Sequence, residues 1–158
     1  MEQLEVKLIE AGKKHGSIAG PMLYALEKEL WDDPAAPLDI SEADYTEAAE
    51  RLIGSGGFWC FIAFAGDDTA GIATVSEKKA VYAGGCFGEL MELYINPAFR
   101  GCGIGSALIS RCTELAAERR WSILDTATSA KGGDGRPFEF YRKNGFSPVG
   151  PKLEITIK

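Results

Sequence analysis

A glycine-rich turn between an apolar segment and an amphipathic segment is the stretch best suited to binding chemistry. The turn has the sequence Arg-Gly-Cys-Gly-Ile-Gly over residues 100–105. Glycine tolerates positive φ and carries no side chain that would block a ligand. The apolar run at residues 90–95 predicts a buried strand before the turn, and apolar residues spaced by three or four predict a helix after it. Free N–H groups at the helix start, with Arg100 on the rim, indicate an anion site that suits phosphate.

The same turn has three other interpretations, and the sequence excludes two of them. A P-loop requires lysine before its serine or threonine, whereas Ser106 follows Gly105 directly. A dinucleotide-binding turn requires Gly-x-Gly-x-x-Gly early in a βαβ unit, whereas Gly101, Gly103 and Gly105 alternate late in the chain. A tight connection between strand and helix, with no ligand, stays open on these residues alone.

Composition and charge limit the function classes. The chain has 158 residues, which predicts a single domain over residues 1–158. Its net charge of −6 argues against nucleic acid as the main partner and favours cationic small molecules such as amines, although the same charge also serves solubility. No apolar run approaches the roughly 20 residues of a membrane helix, and the first residues lack a signal-peptide pattern. We therefore expect a cytoplasmic protein.

The four cysteines do not indicate a metal site. Cys60, Cys86, Cys102 and Cys112 are not spaced as Cys-x-x-Cys, and His15 is the one histidine in the sequence. A catalytic cysteine needs a base such as histidine close by. Nothing in the sequence places His15 near a cysteine, so we expect buried or passive thiols and no metal.

Periodicity along the chain predicts alternating strands and helices. Strands are predicted at residues 4–9, 58–65, 70–76, 90–95, 121–127, 146–149 and 153–157. Helices are predicted at residues 11–31, 41–52, 104–119 and 137–144, and polar, glycine-bearing connections at 77–88 and 128–135. Gly16, Gly20 and Pro21 predict that the first helix is kinked or split into two pieces.

Two motifs in this order resemble the GNAT superfamily of N-acetyltransferases. Arg100, Gly103 and Gly105 match the Gln/Arg-x-x-Gly-x-Gly/Ala pattern of its motif A position for position. The stretch Phe-Tyr-Arg-Lys-Asn-Gly-Phe at residues 140–146 resembles the end of motif B. The resemblance covers residues 58–146 well and the preceding part in outline. It implies an α/β fold whose mixed central sheet is flanked by helices and splays open between the central strand and the strand after the long helix.

The resemblance also implies a cosubstrate, acetyl-coenzyme A, bound where the sheet opens. The pantetheine arm is expected to pair, like an extra strand, with the backbone of Leu93, Tyr94 and Ile95. An N–H group in this stretch can also hold the thioester oxygen. The pyrophosphate is expected on the N–H groups of Arg100, Gly101, Cys102, Gly103, Ile104, Gly105 and Ser106.

The family's catalytic groups correspond to a tyrosine and a strand carboxylate. Tyr141 matches the tyrosine general acid, and a phenol with a pKa of about 10 is a suitable donor to a thiolate; a structural tyrosine is the alternative. Glu92 is favoured as the base, directly or through water, because it precedes the Leu-Tyr-Ile segment, with Glu89 as the alternative. The two have opposite parity, so a regular strand would send them to opposite faces unless a bulge intervenes.

The remaining expectations concern the acceptor. In the family the early helical region forms much of the acceptor site, so Tyr24, Trp31 and Tyr45 are candidates for lining it. Asp134 and Pro137 depart from the family's usual Asn and Ala, so Asp134 is not expected to contact phosphates.

The predicted function is acetyl transfer to a primary amine of a small molecule. An acyl-coenzyme A sensor without turnover and a protein N-acetyltransferase stay open, and a homodimer is compatible with the sequence.

Overall fold

The computed structural model describes residues 3–30, 40–128 and 135–157, which form a five-stranded sheet with helices against both faces. The strands are β1 (Val6–Glu10), β2 (Phe58–Ala65), β3 (Asp68–Ala80), β4 (Gly85–Ile95) and β5 (Leu124–Thr126). The helices are α1 (Gly16–Leu30), α2 (Glu42–Leu52), α3 (Ile104–Glu118) and α4 (Arg136–Lys143), with 3-10 turns at Lys13–His15, Val81–Ala83 and Pro97–Phe99. Strand order follows the sequence, and β1 to β4 pair antiparallel whereas β5 runs parallel to β4. The predicted mixed sheet is confirmed.

Each face of the sheet buries its own apolar cluster. Alternate residues of β3 divide between the two clusters, because successive side chains of a strand point to opposite faces. Ala73 and Val75 pack with α3, whereas Ile72 packs with α1 and α2. No helix in the described parts of the chain is long and apolar enough to cross a membrane.

Helices α1 and α2 form a closely packed pair over one face. The sequence predicted a kink or a split in the first helix. The segment consists of a 3-10 turn at Lys13–His15 followed by α1, and α1 itself is continuous through Pro21. Gly20 in α1 serves packing, because a Cβ on it would lie 2.4 Å from the Cα of Thr46 in α2. The start of α2 is as predicted, because the Ser41 hydroxyl accepts a hydrogen bond from the Asp44 N–H at 3.2 Å.

The hairpin of β3 and β4 is longer than predicted. Residues 77–88 were expected to be a connection, but residues 77–80 pair with residues 85–88, and the turn is confined to Val81–Ala83 and Gly84. The Glu77 carboxylate accepts hydrogen bonds from the Trp121 indole N–H and from Arg119, each at 2.9 Å. Polar residues therefore continue the ladder here because partners outside the local sequence hold them.

The C-terminal part of the chain differs most from the prediction. Strands were expected at residues 121–127, 146–149 and 153–157, but β5 spans three residues and residues 144–157 contain no strand. The alternating apolar residues Leu153, Ile155 and Ile157 are exposed. Alternation expresses only a local preference, and a strand forms when a neighbouring edge supplies the ladder.

Candidate active site

β4 loses one of its two neighbours halfway along its length. β5 pairs with β4 only over residues 88–90, and the Thr126 hydroxyl donates to the Leu90 carbonyl at 3.1 Å on the last rung. Within the described residues, 92–95 pair with β3 alone. Parallel strands that diverge leave N–H and C=O groups with which an extended ligand can pair. The ladder between β4 and β5 therefore ends where the predicted splay requires it to end.

A β-bulge lies at the point of divergence. Val75 is opposite Leu90 and Thr74 is opposite Glu92, so Met91 has no partner on β3. Glu89 is opposite Ser76, which shares a face of β3 with Thr74 because the two are two residues apart. The bulge therefore brings Glu92 and Glu89 to the same face of the sheet, the face covered by α1 and α2, although a regular strand would have separated them.

Glu92 is held by Thr74. The Thr74 hydroxyl donates to the Glu92 carboxylate and accepts from the Glu92 N–H at 3.2 Å. Burial, reinforced by the negative charge of Glu27 on α1, raises the pKa of Glu92 to about 7. Glu92 thus titrates where a general base is most effective near neutral pH.

Glu89 has a different environment. Its side chain is 19% exposed and forms an ion pair with Lys152 at 3.6 Å. Across the parallel ladder it is opposite Asp125, whose pKa is raised by burial and by the Glu89 charge. Glu89 lies on the rungs where β4 and β5 are still paired, one rung before the strands diverge.

The glycine turn forms a concave connection into α3. Gly101 and Gly103 have φ of +79° and +80°, and a Cβ on either would meet no atom within 4 Å. The first hydrogen bond of α3 runs from the Ala107 N–H to the Gly103 carbonyl, so the N–H groups at the start of the helix are available for an anion. Gly105 serves packing, because a Cβ there would lie 2.8 Å from the ring of Phe140.

The Arg100 side chain joins the turn to α1 and β4. Its guanidinium is 2.7 Å from the Glu29 carboxylate and lies over the Tyr94 ring at 5.8 Å. Its Nε donates to the Ile95 carbonyl at 3.0 Å. The sequence suggested a cation on the rim, and the structure places this cation in an ion pair with α1. The Ile95 carbonyl is also engaged, so Ile95 has its N–H to offer a ligand.

Tyr141 lies on α4 beside the last rung between β4 and β5. Its ring packs edge-on against Phe140 and Phe146, at centroid distances of 5.5 and 5.4 Å. Burial raises the pKa of Tyr141, and a hydrogen bond with the side chain of Thr126 opposes this increase. Because Thr126 donates to Leu90, the phenol is positioned where the strands begin to separate.

The expected acceptor residues on α1 and α2 come together. The rings of Tyr24 and Tyr45 are 5.6 Å apart, and burial, the charge of Glu27 and a hydrogen bond with Glu27 raise the pKa of Tyr45 to about 12. Trp31 and Asp134 lie outside the described residues. Sequence reasoning missed Glu27, although its position three residues after Tyr24 placed it on the same helix face. It also missed Thr74 and Thr126.

Two of the four cysteines are buried thiols that are hard to ionise. Burial raises the pKa of the Cys60 and Cys112 thiols to about 12. Cys86 is half-buried and Cys102 exposed, and both are free thiols. Among the described residues, no cluster of three or more His, Cys, Asp and Glu side chains could hold a metal ion.

Comparisons with known proteins found a family model and a relative that match part of this chain. A family model described as the acetyltransferase (GNAT) domain matches residues 56–148, which is more than half of the chain. A relative from Methanocaldococcus jannaschii, described as an uncharacterized N-acetyltransferase, is 36% identical over 58 residues. That match covers 37% of this chain and 25% of the relative, so the chain spans about a quarter of the relative's length.

Solved structures share the fold over nearly the whole chain. The ribosomal-protein-alanine N-acetyltransferase of Brucella melitensis biovar Abortus 2308 has a TM-score of 0.76 at 21% identity, covering 97% of this chain and 100% of its own. The aminoglycoside N-acetyltransferase AAC(6')-Iy, in complex with CoA, has a TM-score of 0.75 at 18% identity, covering 98% of this chain and 95% of its own. At these identities the likeness concerns the fold alone.

Proposed function

The chain belongs to the GNAT acetyltransferase domain family, and we propose that it transfers an acetyl group from acetyl-coenzyme A to a primary amine of a small molecule. The observation that carries this proposal is Glu92, a carboxylate with a pKa raised to about 7 beside the open edge of β4. A base poised near neutral pH, at the place where a strand-like ligand can enter, suits the removal of a proton from an amine.

The cosubstrate fits the residues present. Open space beside Gly101 and Gly103, together with the N–H groups that begin α3, suits a pyrophosphate. Among the described residues, no second strand pairs with residues 93–95, and such an edge suits the amide groups of a pantetheine arm. Acetyl-coenzyme A supplies the acetyl group as a thioester, and the N–H groups of this edge are placed to stabilise negative charge on its carbonyl oxygen.

The proposed roles of the catalytic groups follow from their positions. Glu92 takes a proton from the acceptor amine, directly or through a water molecule. Tyr141 donates a proton to the departing thiolate from the last rung between β4 and β5. Glu89 is the weaker candidate for the base, because it forms an ion pair with Lys152 and lies where the sheet is closed. Glu92 lies on the face of the sheet covered by α1 and α2, whereas Tyr141 packs with the apolar cluster on the other face.

The acceptor is proposed to be cationic before it reacts. Glu27 on α1 acts electrostatically on Glu92 and hydrogen-bonds to Tyr45, so two carboxylates and two tyrosine rings border the face from which an amine would approach. The net charge of −6 adds a long-range attraction for cations. A coenzyme-binding module without turnover would have no need of a carboxylate with a raised pKa at this point.

The test measures free thiol release from acetyl-coenzyme A with a panel of amines, amino acids and aminoglycosides. We expect amine-dependent release with at least one class, and a rise in melting temperature with acetyl-coenzyme A that NAD and ATP do not produce. A coenzyme-induced rise without release in the presence of any amine or acceptor peptide would identify a binding module. No rise at millimolar coenzyme would contradict the cosubstrate itself.

A further inference from the structure

Thr74 is unusual in the core of this protein. It is the one polar residue among the fully buried side chains of the described ranges, with 0% exposure. It lies at the centre of β3 between Ala73 and Val75, which are also fully buried. A hydroxyl in such surroundings is destabilising unless it is hydrogen-bonded, so its partners explain its presence.

Both partners of the Thr74 hydroxyl belong to Glu92. The oxygen accepts from the Glu92 N–H at 3.2 Å, and the O–H donates to the Glu92 carboxylate. The register of β3 and β4 shifts at this point, because Met91 has no partner on β3. Thr74 therefore binds both the main chain and the side chain of Glu92 directly beside the bulge.

We propose that Thr74 is the positioning residue of the catalytic base: its hydroxyl fixes the Glu92 carboxylate at the open edge of β4 and favours the ionised form that accepts a proton. This inference rests on the proposed function, in which Glu92 is the base. It adds a residue that touches neither coenzyme nor acceptor and acts through Glu92 alone.

Two other influences on Glu92 act in the opposite direction. Burial and the negative charge of Glu27 on α1 favour the protonated carboxyl. Tyr45 on α2 and Cys60 on β2 also lie within the field of the Glu92 charge, but both are neutral near pH 7 because their pKa values are raised to about 12. A hydrogen bond donated to the ionised form is the local interaction that counters burial and the Glu27 charge, and a strand threonine supplies it without adding charge.

The test is the pH profile of kcat/KM for Thr74→Val, which keeps the shape of the side chain and removes the donor. A hydrogen bond to a charged group corresponds to a shift of about one pH unit or more. We expect the acidic limb of this profile to move to higher pH by about that amount, and kcat/KM at pH 6.5 to fall roughly tenfold. Thr74→Ser, which keeps the hydroxyl, should retain the wild-type limb.

Two further variants separate positioning from stability. Thr69→Val makes the same change five residues away on β3 and should leave the limb unchanged. In a Glu92→Gln background, Thr74→Val should cause no further loss of activity, because the two residues act as a unit.

The possible failures are distinguishable. If Thr74→Val lowers kcat/KM equally at every pH, or if Thr74→Ser is as impaired as Thr74→Val, Thr74 is only structural and the inference is wrong. If Glu92→Gln itself turns over normally, the proposed base is wrong, whatever Thr74 does.

Discussion

The two halves of β4 have similar apolar sequences and different surroundings. The first half, residues 85–90, pairs with β3 throughout and ends in three residues that also pair with β5. Phe87, Gly88 and Leu90 in this half are buried. The second half, residues 91–95, begins with the bulge at Met91 and contains no fully buried residue. Its residues 92–95 pair with β3 alone among the described strands.

We infer from this difference that the bulge separates a structural part of β4 from the part proposed to take part in binding and catalysis. Before it, residues 88–90 have strands on both sides, and substitution there should affect folding. After it, backbone groups and Glu92 have an open side, and substitution should affect binding and catalysis.

Tyr141 lies against the rung that separates the halves, and it tests whether chemistry begins there. Tyr141→Phe keeps the ring contacts with Phe140 and Phe146 and removes the proton donor. General acid catalysis contributes about 10²–10⁴-fold, so kcat should fall within that range. Coenzyme Kd should barely change, because the hydroxyl acts on charge that develops in the transition state.

The matched control for Tyr141 is Tyr82→Phe, which removes a phenol hydroxyl from the exposed tip of the β3–β4 hairpin. That variant should have wild-type kcat. If Tyr141→Phe also has wild-type kcat but a much lower melting temperature, Tyr141 stabilises the packing of α4 against the first half of β4 and is not catalytic.

Glu92 tests the second half directly. Glu92→Gln should lower kcat/KM by about 10²-fold, with the largest loss above pH 7, where the wild-type carboxylate is ionised. The folded-state pKa is about 7 against an ordinary 4.5. The wild type therefore loses stability as the pH rises from about 4.5 to 7, because folding then forces a buried charge.

Glutamine has no such charge, so the variant should gain about 1–3 kcal/mol over wild type at pH 8 and little at pH 4.5. Thermal unfolding at the two pH values measures the difference. A variant that is less stable than wild type at pH 8 would place Glu92 among the structural residues and remove the division at the bulge.

Gly88 provides the corresponding test in the first half. A Cβ on Gly88 would lie 2.4 Å from the ring of Trp121, whose indole is fixed by its hydrogen bond to Glu77. Gly88→Ala should therefore lower the free energy of unfolding by about 1–3 kcal/mol through overpacking. Turnover per folded molecule should stay at the wild-type value. Met91→Ala, in the exposed bulge, should change stability by less than about 0.5 kcal/mol.

Local patterns were sufficient to predict most elements of the fold. The apolar run of β2, the Ser41 cap of α2 and the helical spacing of α3 are each encoded within a short segment. Patterns failed where the outcome depends on distant partners. Residues 77–80 form a strand because residues 85–88 and Trp121 hold them, whereas residues 153–157 alternate ideally and remain unpaired.

The candidate site divides in the same way. Motif spacing located the glycine turn, Tyr141 and the two carboxylates. Glu92 was favoured over Glu89 from its place before the Leu-Tyr-Ile segment, whereas the bulge at Met91, which brings both carboxylates to one face of the sheet, is encoded by no sequence period. Thr74 and Glu27 have roles only because β3 and α1 lie beside β4, so they could not be selected before the fold was known.

The smallest expected effect concerns Glu27, which lies outside β4 but acts on its second half. Its negative charge is the secondary cause of the raised pKa of Glu92, after burial. Glu27→Gln removes the charge, so the pKa of Glu92 should fall and the acidic limb of kcat/KM should move to lower pH, by roughly half a unit. This direction is opposite to that expected for Thr74→Val.

Tyr45→Phe removes the hydrogen-bond partner of Glu27 and keeps the carboxylate, so it should not move the acidic limb to lower pH. Raising the salt concentration should shrink the Glu27 effect, since it is an interaction between charges, and leave the Thr74 effect unchanged. If Glu27→Gln and Thr74→Val move the acidic limb in the same direction, the pKa of Glu92 is not set by opposing effects of the Glu27 charge and the Thr74 hydrogen bond.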